Sequence, residues 1–434
     1  MEKEETILKR LKGGWDIFYT ALILGLTSFG GPTAHFGYFY RTYIEKKKWI
    51  EPDTYADLIA LANFLPGPAS SQVGMSIGLL RGGLHGGFLA WLGFTLPSAT
   101  IMALFAWFLQ NSQTMMDYDA FWLHGLKLLA VAIVLQAVQG MAKKLSTGRL
   151  RATITVLTAI LVLLSNAPGT QAALIIMGGL FTLFFEHKGR REDSDKEGHE
   201  DDKAISHDTG NMRISGIRTE KRPFVSKRTG WVLLVIFFVL CMLVWLASSL
   251  AYALIPAPTQ TYVELFSKFF LTGSMVFGGG HVVLPLLEKD VVQTKWVSPD
   301  QFLAGYGLAQ GLPGPLFTFA AYLGMLIAGW PGAILALIAI FLPGMLLMAG
   351  AYPFWHSLKK YHVFQKIMSG VGAAVVGLLL AALYDPLWTQ TVTDVYDVSI
   401  VGLLWLLLHV WHRPPLMVLI ISLMLAWIKV LLIL

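Results

Sequence analysis

The chain has 434 residues, 55% hydrophobic and only 14% charged, with a formal net charge of +6 and a mean hydropathy of +0.60. Soluble domains carry about 25% charged residues. A soluble enzyme, a disordered chain and a disulfide-rich secreted domain are therefore excluded, which leaves an all-α polytopic membrane protein.

A membrane span needs about 20 predominantly apolar residues. Six such runs come first, at 15–40, 54–80, 84–110, 121–141, 152–165 and 171–185, the last two short. The first run is long and has no small-residue cleavage site, so no cleavable leader is expected. Residues 186–230 then hold 11 of the 33 Lys and Arg and 10 of the 27 acids, with few large apolar side chains. Such a stretch cannot bury enough apolar surface to fold alone and reads as a flexible charged linker. One strong run follows at 231–255, then six more at 262–287, 301–327, 331–351, 366–384, 397–411 and 414–433. The single cysteine, Cys241, leaves no internal disulfide or cysteine metal cluster.

The two sets of six repeat their glycine and proline landmarks in order. Phe29-Gly30-Gly31-Pro32 matches Phe277-Gly278-Gly279-Gly280, and Trp49 with Pro52 and Asp53 matches Trp296 with Pro299 and Asp300. Pro66-Gly67-Pro68 matches Pro313-Gly314-Pro315, preceded at three residues by Asn63 and Gln310, and Pro97 matches Pro343. Ordered landmarks of this kind mark an internal repeat. The expected organisation is a first transporter repeat over 1–185, the linker over 186–230, an orientation-inverting helix over 231–255 and a second repeat over 256–434. The odd extra crossing turns the second half over, as in inverted-repeat transporters with interrupted helices.

Basic residues orient the chain, because they concentrate in cytoplasmic loops. Lys143, Lys144, Arg149 and Arg151 share one loop, and the linker lies two crossings later, so both are placed in the cytoplasm. The loops with Asp117 and Asp119, and with Asp385, Asp394 and Asp397, lack basic residues and face out. Arg41, Lys46, Lys47 and Lys48 fall inside only if the first two runs are re-entrant hairpins, each broken at its Gly/Pro motif.

Those breaks are the chemically informative feature. Proline removes a backbone donor and glycine opens unusual backbone angles. In lipid, freed backbone groups are tolerated only where protein, water or a ligand satisfies them. Each break can start a half-helix whose N-terminus presents N–H donors and a partial charge of about +0.5, which suits an anion. The plainer reading is a set of packing kinks, since Gly and Pro are frequent in membrane helices. Four breaks at paired positions favour a site.

The sequence resembles the chromate ion transporter family in its long, two-domain form. The resemblance rests on Ser28-Phe-Gly-Gly-Pro-Thr-Ala-His35, Phe64-Leu-Pro-Gly-Pro-Ala-Ser-Ser-Gln72 and Gly93-Phe-Thr-Leu-Pro97. In the second half it rests on Phe277 to Pro285 and Gly305 to Gly324. It implies export of chromate, with sulfate as a related anion, across the cytoplasmic inner membrane, and resistance to chromate. Asn63 departs from the Gln expected there.

The binding set expected from the breaks is Gly30, Gly31, Pro32, Pro66, Gly67, Pro68, Gly278, Gly279, Gly280, Pro313, Gly314 and Pro315. His35 and His281 follow the two glycine breaks; each is either a core histidine or a donor to the anion. Asn63 and Gln310 are amide donors to freed backbone or to substrate. Ser70, Ser71 and Thr318 are hydroxyl donors or half-helix caps. Arg81 is either an interfacial anchor or a fork for a tetrahedral oxyanion. Lys127 either snorkels or serves as a counter-ion. Asp53 and Asp300 read as helix-start acids.

No metal or cofactor is assigned, since His35 and His281 are not at metal-ligand spacing with other His, Asp or Glu. The partners are an oxyanion and the lipid bilayer, not nucleic acid; a homodimer is compatible with such a fold. A dianion leaving a cell gains roughly 4.6 kcal/mol per 100 mV of potential, so export needs no ATP, and no P-loop is present. The rivals are a carrier of sulfate or another small anion and an intramembrane enzyme. The enzyme would need a polar catalytic cluster, and the sequence offers none.

Overall fold

The protein is described by a computed structural model covering residues 2–111, 121–165, 167, 169–185, 225–254, 256–277, 279–358 and 361–433. Gly278 and most of the charged linker lie outside the described residues, as do Asp117, Asp119, Lys359 and Lys360. Among the described residues every regular element is helical. Six helices are long and apolar enough to cross a membrane, and two apolar ones are shorter, Thr170–Phe185 and Val395–His409.

The first half begins with α1 (Glu2–Thr27), a break at residues 28–30, and α2 (Gly31–Phe39) continued by a π turn (Tyr40–Lys46). Lys47 then reaches Asp16 of α1 at 2.6 Å, so this segment runs back along α1. α3 (Pro52–Phe64) leads into Pro66-Gly67-Pro68, and α4 (Ala69–Asn111) leaves it. Arg81 lies over the Trp49 ring at 5.4 Å, so the chain reverses here too. α4 itself folds back at Gly82 and Gly83 (φ +62° at Gly83). There Gly78 and Gly86 touch backbone to backbone, and no larger residue would permit that approach. Only the leg from 84 to 111 is long enough to cross. α5 (Phe121–Leu145), α6 (Arg149–Leu164) and α7 (Thr170–Phe185) complete the half.

α8 (Lys227–Leu254) exposes Trp231, Val235, Phe238 and Trp245 along its length, as a lipid-facing helix does. The second half then repeats the first. α9 (Ala257–Met275) and α10 (Val283–Val291) form the first hairpin, with Lys268 donating to the Asp290 carbonyl at 2.8 Å. α11 (Pro299–Gly311) and α12 (Phe319–Ala351) form the second, with the Tyr322 hydroxyl donating to the Gln301 carbonyl at 2.7 Å. α12 turns back at Ala328 (φ −142°, ψ 25°) and Gly329 (φ +63°, ψ −157°), matching Gly82 (φ −137°, ψ 18°) and Gly83 (φ +62°, ψ −157°). Lys48 and Lys295, each just before the paired tryptophan, share a positive φ of 51° and 61°. The repeat read from Gly/Pro landmarks is thus also a repeat of backbone conformation.

α13 (His362–Ala382), α14 (Val395–His409) and α15 (Pro415–Ile433) close the chain. The terminal pairs are exchanged between halves: α6 and α7 pack on α13, whereas α14 and α15 pack on α5. Close glycine approaches seat the first pair, Gly178 on Gly370 and Gly377 on Thr155. An ion cluster seats the second. Buried Asp397 meets Lys429 at 2.6 Å and His124 of α5 at 2.7 Å, and Lys429 also meets Asp394 at 2.7 Å.

Contacts between distant segments sort to two ends of the molecule. One end, the Lys144 end, joins Trp355 to Asp57, Thr182 to the Lys366 carbonyl, and Gly230 to Gly350. The opposite end joins Gln110 to the Leu326 carbonyl, Lys289 to the Ala167 carbonyl, Gln171 to the Pro285 carbonyl, and His124 to Asp397.

Candidate functional site

The tips of the hairpins meet. The Gly67 N–H donates to the Val276 carbonyl at 2.8 Å, and the Gly314 N–H donates to the Ser28 carbonyl at 2.9 Å. Val276 and Ser28 are the residues before Phe277 and Phe29, so the two bonds are equivalent: each Pro-Gly-Pro tip caps the glycine break of the other half. Both glycines need positive φ, +121° and +93°.

Where the tips meet lies a cavity of about 40 Å³. A buried water needs roughly 10–15 Å³ on such a measure, so the space fits a few waters or one small oxyanion. All four half-helices begin on it: α2 at Gly30–Pro32, α4 at Ala69 and Ser70, the turn into α10 at Gly280 and His281, and the turn into α12 at Leu316 and Phe317. Gly30, Gly279 and Pro315, which precede three of these starts, give no side-chain cap. First-turn N–H groups without caps are orphan donors at the positive ends of helix dipoles.

Two histidines line this cavity, one from each half. His35 is buried, and its Nδ1 is 3.1 Å from the Ser70 hydroxyl. Its Nε2 makes no well-aligned hydrogen bond within the protein, although the ring lies close to the Ser28 backbone. His281 Nδ1 is 3.1 Å from the Gln310 amide nitrogen and 3.3 Å from the Tyr306 hydroxyl. An amide nitrogen only donates, so with Gln310 in this orientation Nδ1 accepts and neutral His281 carries its proton on Nε2.

The structure therefore gathers Gly30, Gly31, Pro32, His35, Pro68, Ser70, Gly280, His281, Gln310, Gly314 and Pro315 around one space. Asn63, Gly67 and Gly279 line an adjoining larger cavity. Pro66 and Pro313 shape the tips without lining either cavity, and Thr318 donates back to the Pro315 carbonyl at 2.9 Å within its own turn. Two charged candidates stand apart: Arg81 is exposed beside Trp49, and Lys127 donates to Asp300 on α11 at 2.7 Å. Asp300 does lie in the first turn of its helix, between Ser298 and Gln301, which form a reciprocal capping box, but it also holds Lys127.

Sequence reasoning missed Gln72. Its buried amide nitrogen donates to both the Pro66 and Gly344 carbonyls at 2.9 Å, tying the first tip to the start of the other half's Pro343 segment. A lone amide in an apolar run, close after Pro-Gly-Pro, was the available signal. Tyr306, against His281, and Lys144, on the larger cavity, were not expected there either.

The chain matches the profile described as Chromate transporter over residues 15–183 and 263–427. It belongs to that family. The two matched regions coincide with the two structural halves and omit the linker and α8. The chain is 25% identical to the chromate transport protein of Pseudomonas aeruginosa over 391 residues, 85% of this chain and 80% of that one. It is 26% identical to the probable chromate transport protein of Synechococcus elongatus over 365 residues, 83% of this chain and 81% of the other. An uncharacterised transporter of Methanocaldococcus jannaschii is 25% identical over 367 residues, 84% and 82% of the two chains. No solved structure matches. The protein is thus a multi-pass membrane member of a transporter family.

Proposed function

We propose that the protein is a secondary transporter that exports chromate, or a sulfate-like dianion, across the cytoplasmic membrane and so confers chromate resistance. The observation that carries this reading is the convergence of four half-helix starts, two from each half and three of them without a side-chain cap, on one cavity flanked by His35 and His281. Such starts favour negative charge, and neutral imidazoles add donors.

In this reading the repeats are residues 1–185 and 256–434, related by inversion. Support comes from chain direction: the paired hairpins make no net crossing, α4 to α7 make four, and α8 adds a fifth. The sorting of long-range contacts into two ends agrees with that count. The Lys144 end and the linker are then cytoplasmic. Alternating access follows from one set of tips parting from the other while the anion stays between them. The binding role belongs to the residues around the cavity; Arg81 is an interfacial anchor and Lys127 a packing ion pair.

The test is uptake of labelled chromate into inside-out vesicles, with a series of oxyanions as competitors. Saturable flux that falls at least tenfold in His281→Ala and is unchanged in Arg81→Gln is expected. Absence of saturable flux, or preference for an unrelated anion, refutes the reading.

A further inference from the structure

The small cavity has a way in. It shares Gly30, Gly31, Pro32, Ala69 and His281 with the adjoining cavity of about 630 Å³. That larger space follows one stripe of α5, from Ile133 through Gln136 and Gly140 to Lys144, and reaches His409 at the end of α14. These α5 positions recur at helical spacing, so they form a single face. Among the described residues, Lys144 is the only lining side chain with a fixed charge and no carboxylate lines the space. Among the described residues it has no ion-pair partner.

We propose that this cavity is the path by which a divalent oxyanion reaches the helix breaks from the Lys144 end, and that Lys144 selects dianions over monoanions at its mouth. The inference rests on the oxyanion-transport reading and adds a residue and a direction to it. A charge at the mouth of a low-dielectric cleft concentrates field along it and raises capture of the opposite charge by about tenfold or more. Coulomb energy is proportional to the ligand's charge. Whatever factor Lys144 contributes for a monoanion is therefore squared for a dianion. Further in, fixed charge gives way to backbone donors, which hold the anion without a cation to trap it. The position of Lys144 in the basic last turn of α5 does more than set topology.

Gly140 supplies an independent handle. It lines the path, no heavy atom lies within 4 Å of where its Cβ would stand, and its φ is not positive. A leucine there projects into the path and leaves the helix unstrained.

The experiment compares inside-out vesicles carrying the parent protein, Lys144→Gln, Lys144→Arg, Lys143→Gln and Gly140→Leu. Chromate serves as the dianion and perrhenate as a tetrahedral monoanion competitor. Lys144→Gln should raise the chromate KM about tenfold and the perrhenate inhibition constant about threefold, with kcat unchanged and a weaker dependence on salt. Lys144→Arg should restore both constants, and Lys143→Gln, which does not line the path, should change neither. Gly140→Leu should abolish flux while the purified protein melts at the parental temperature; if it does not, Gly140→Val is the smaller plug. The proposal is overturned if Lys144→Gln matches Lys143→Gln, if both anions shift by the same factor, or if plugged variants transport normally. Loss of flux in the parent itself overturns the transport reading along with it.

Discussion

Gly67→Ala is the sharpest test of the crossed hairpin tips. At φ +121° the backbone sits where an alanine is strained, at a cost of about 1–3 kcal/mol. The new Cβ would stand 2.9 Å from the Gly344 Cα and 2.9 Å from the Gln72 amide nitrogen. Neither neighbour yields readily, since one is backbone and the other is fixed by two carbonyls, so overpacking adds about 1–3 kcal/mol. The sum is roughly 2–6 kcal/mol. Two other glycines calibrate it. Gly31 has φ +77° but open space around its Cβ position, so Gly31→Ala carries only the strain, about 1–2 kcal/mol. Gly140 has neither problem, and alanine in mid-helix is favoured over glycine by about 0.5–1 kcal/mol. Thermal melting of the purified protein in detergent should therefore rank Gly140→Ala at or above the parent, then Gly31→Ala, then Gly67→Ala. If Gly67→Ala melts with Gly31→Ala, the close meeting of Pro-Gly-Pro with the Pro343–Gly344 segment is wrong.

Three further outcomes follow from other contacts. Asp397→Ala leaves Lys429 with Asp394 alone and takes the carboxylate from His124, and should destabilise by about 1–3 kcal/mol; parental melting of this variant would remove the cluster as a clasp. Gln72→Leu strips a buried donor from the Pro66 and Gly344 carbonyls and should cost about 1–3 kcal/mol, read in the same melting experiment. Gln310→Ala leaves His281 Nδ1 to the Tyr306 hydroxyl alone, and losing one bond of about 0.5–1.5 kcal/mol should raise the chromate KM roughly two- to tenfold; an unchanged KM would take Gln310 out of the site.

The breaks, the hairpins and the repeat were legible because glycine and proline act locally: they interrupt a helix whatever packs against it. The gaps left between apolar runs at residues 81–83 and 328–330 are the two chain reversals. Histidines directly after the breaks were legible for the same reason, since a half-helix start fixes where its first turn points. Arg81 and Lys127 show the opposite case. A cation in an apolar run has the same signature whether it meets substrate, an indole ring or a carboxylate from the other half, and only the packing of α5 on α11 selects Asp300 for Lys127. The exchange of terminal helix pairs was likewise invisible, because apolar faces of α6, α7, α14 and α15 do not name their partners. Gln72 was obscured by the repeat itself. The corresponding place after the second Pro-Gly-Pro is Phe319, so the paired landmarks drew attention away from a residue that one half alone possesses.

Scarcity of charge at the breaks has a mechanistic side. A transporter must pass through a state with its site empty. An arginine or lysine buried there would be left unpaired in that state, and isolated charges inside a membrane protein cost several kcal/mol or more. Backbone N–H groups and neutral imidazoles carry no such penalty, because a cavity of about 40 Å³ has room for the few waters that would satisfy them. The same weakness helps release, since a dianion held by partial charges need not leave a full counter-charge behind. The fixed charge closest to the path then belongs at its mouth, hydrated and exposed, which is where Lys144 stands. On the proposed reading, formal charge recruits the anion at the mouth and backbone donors hold it further in.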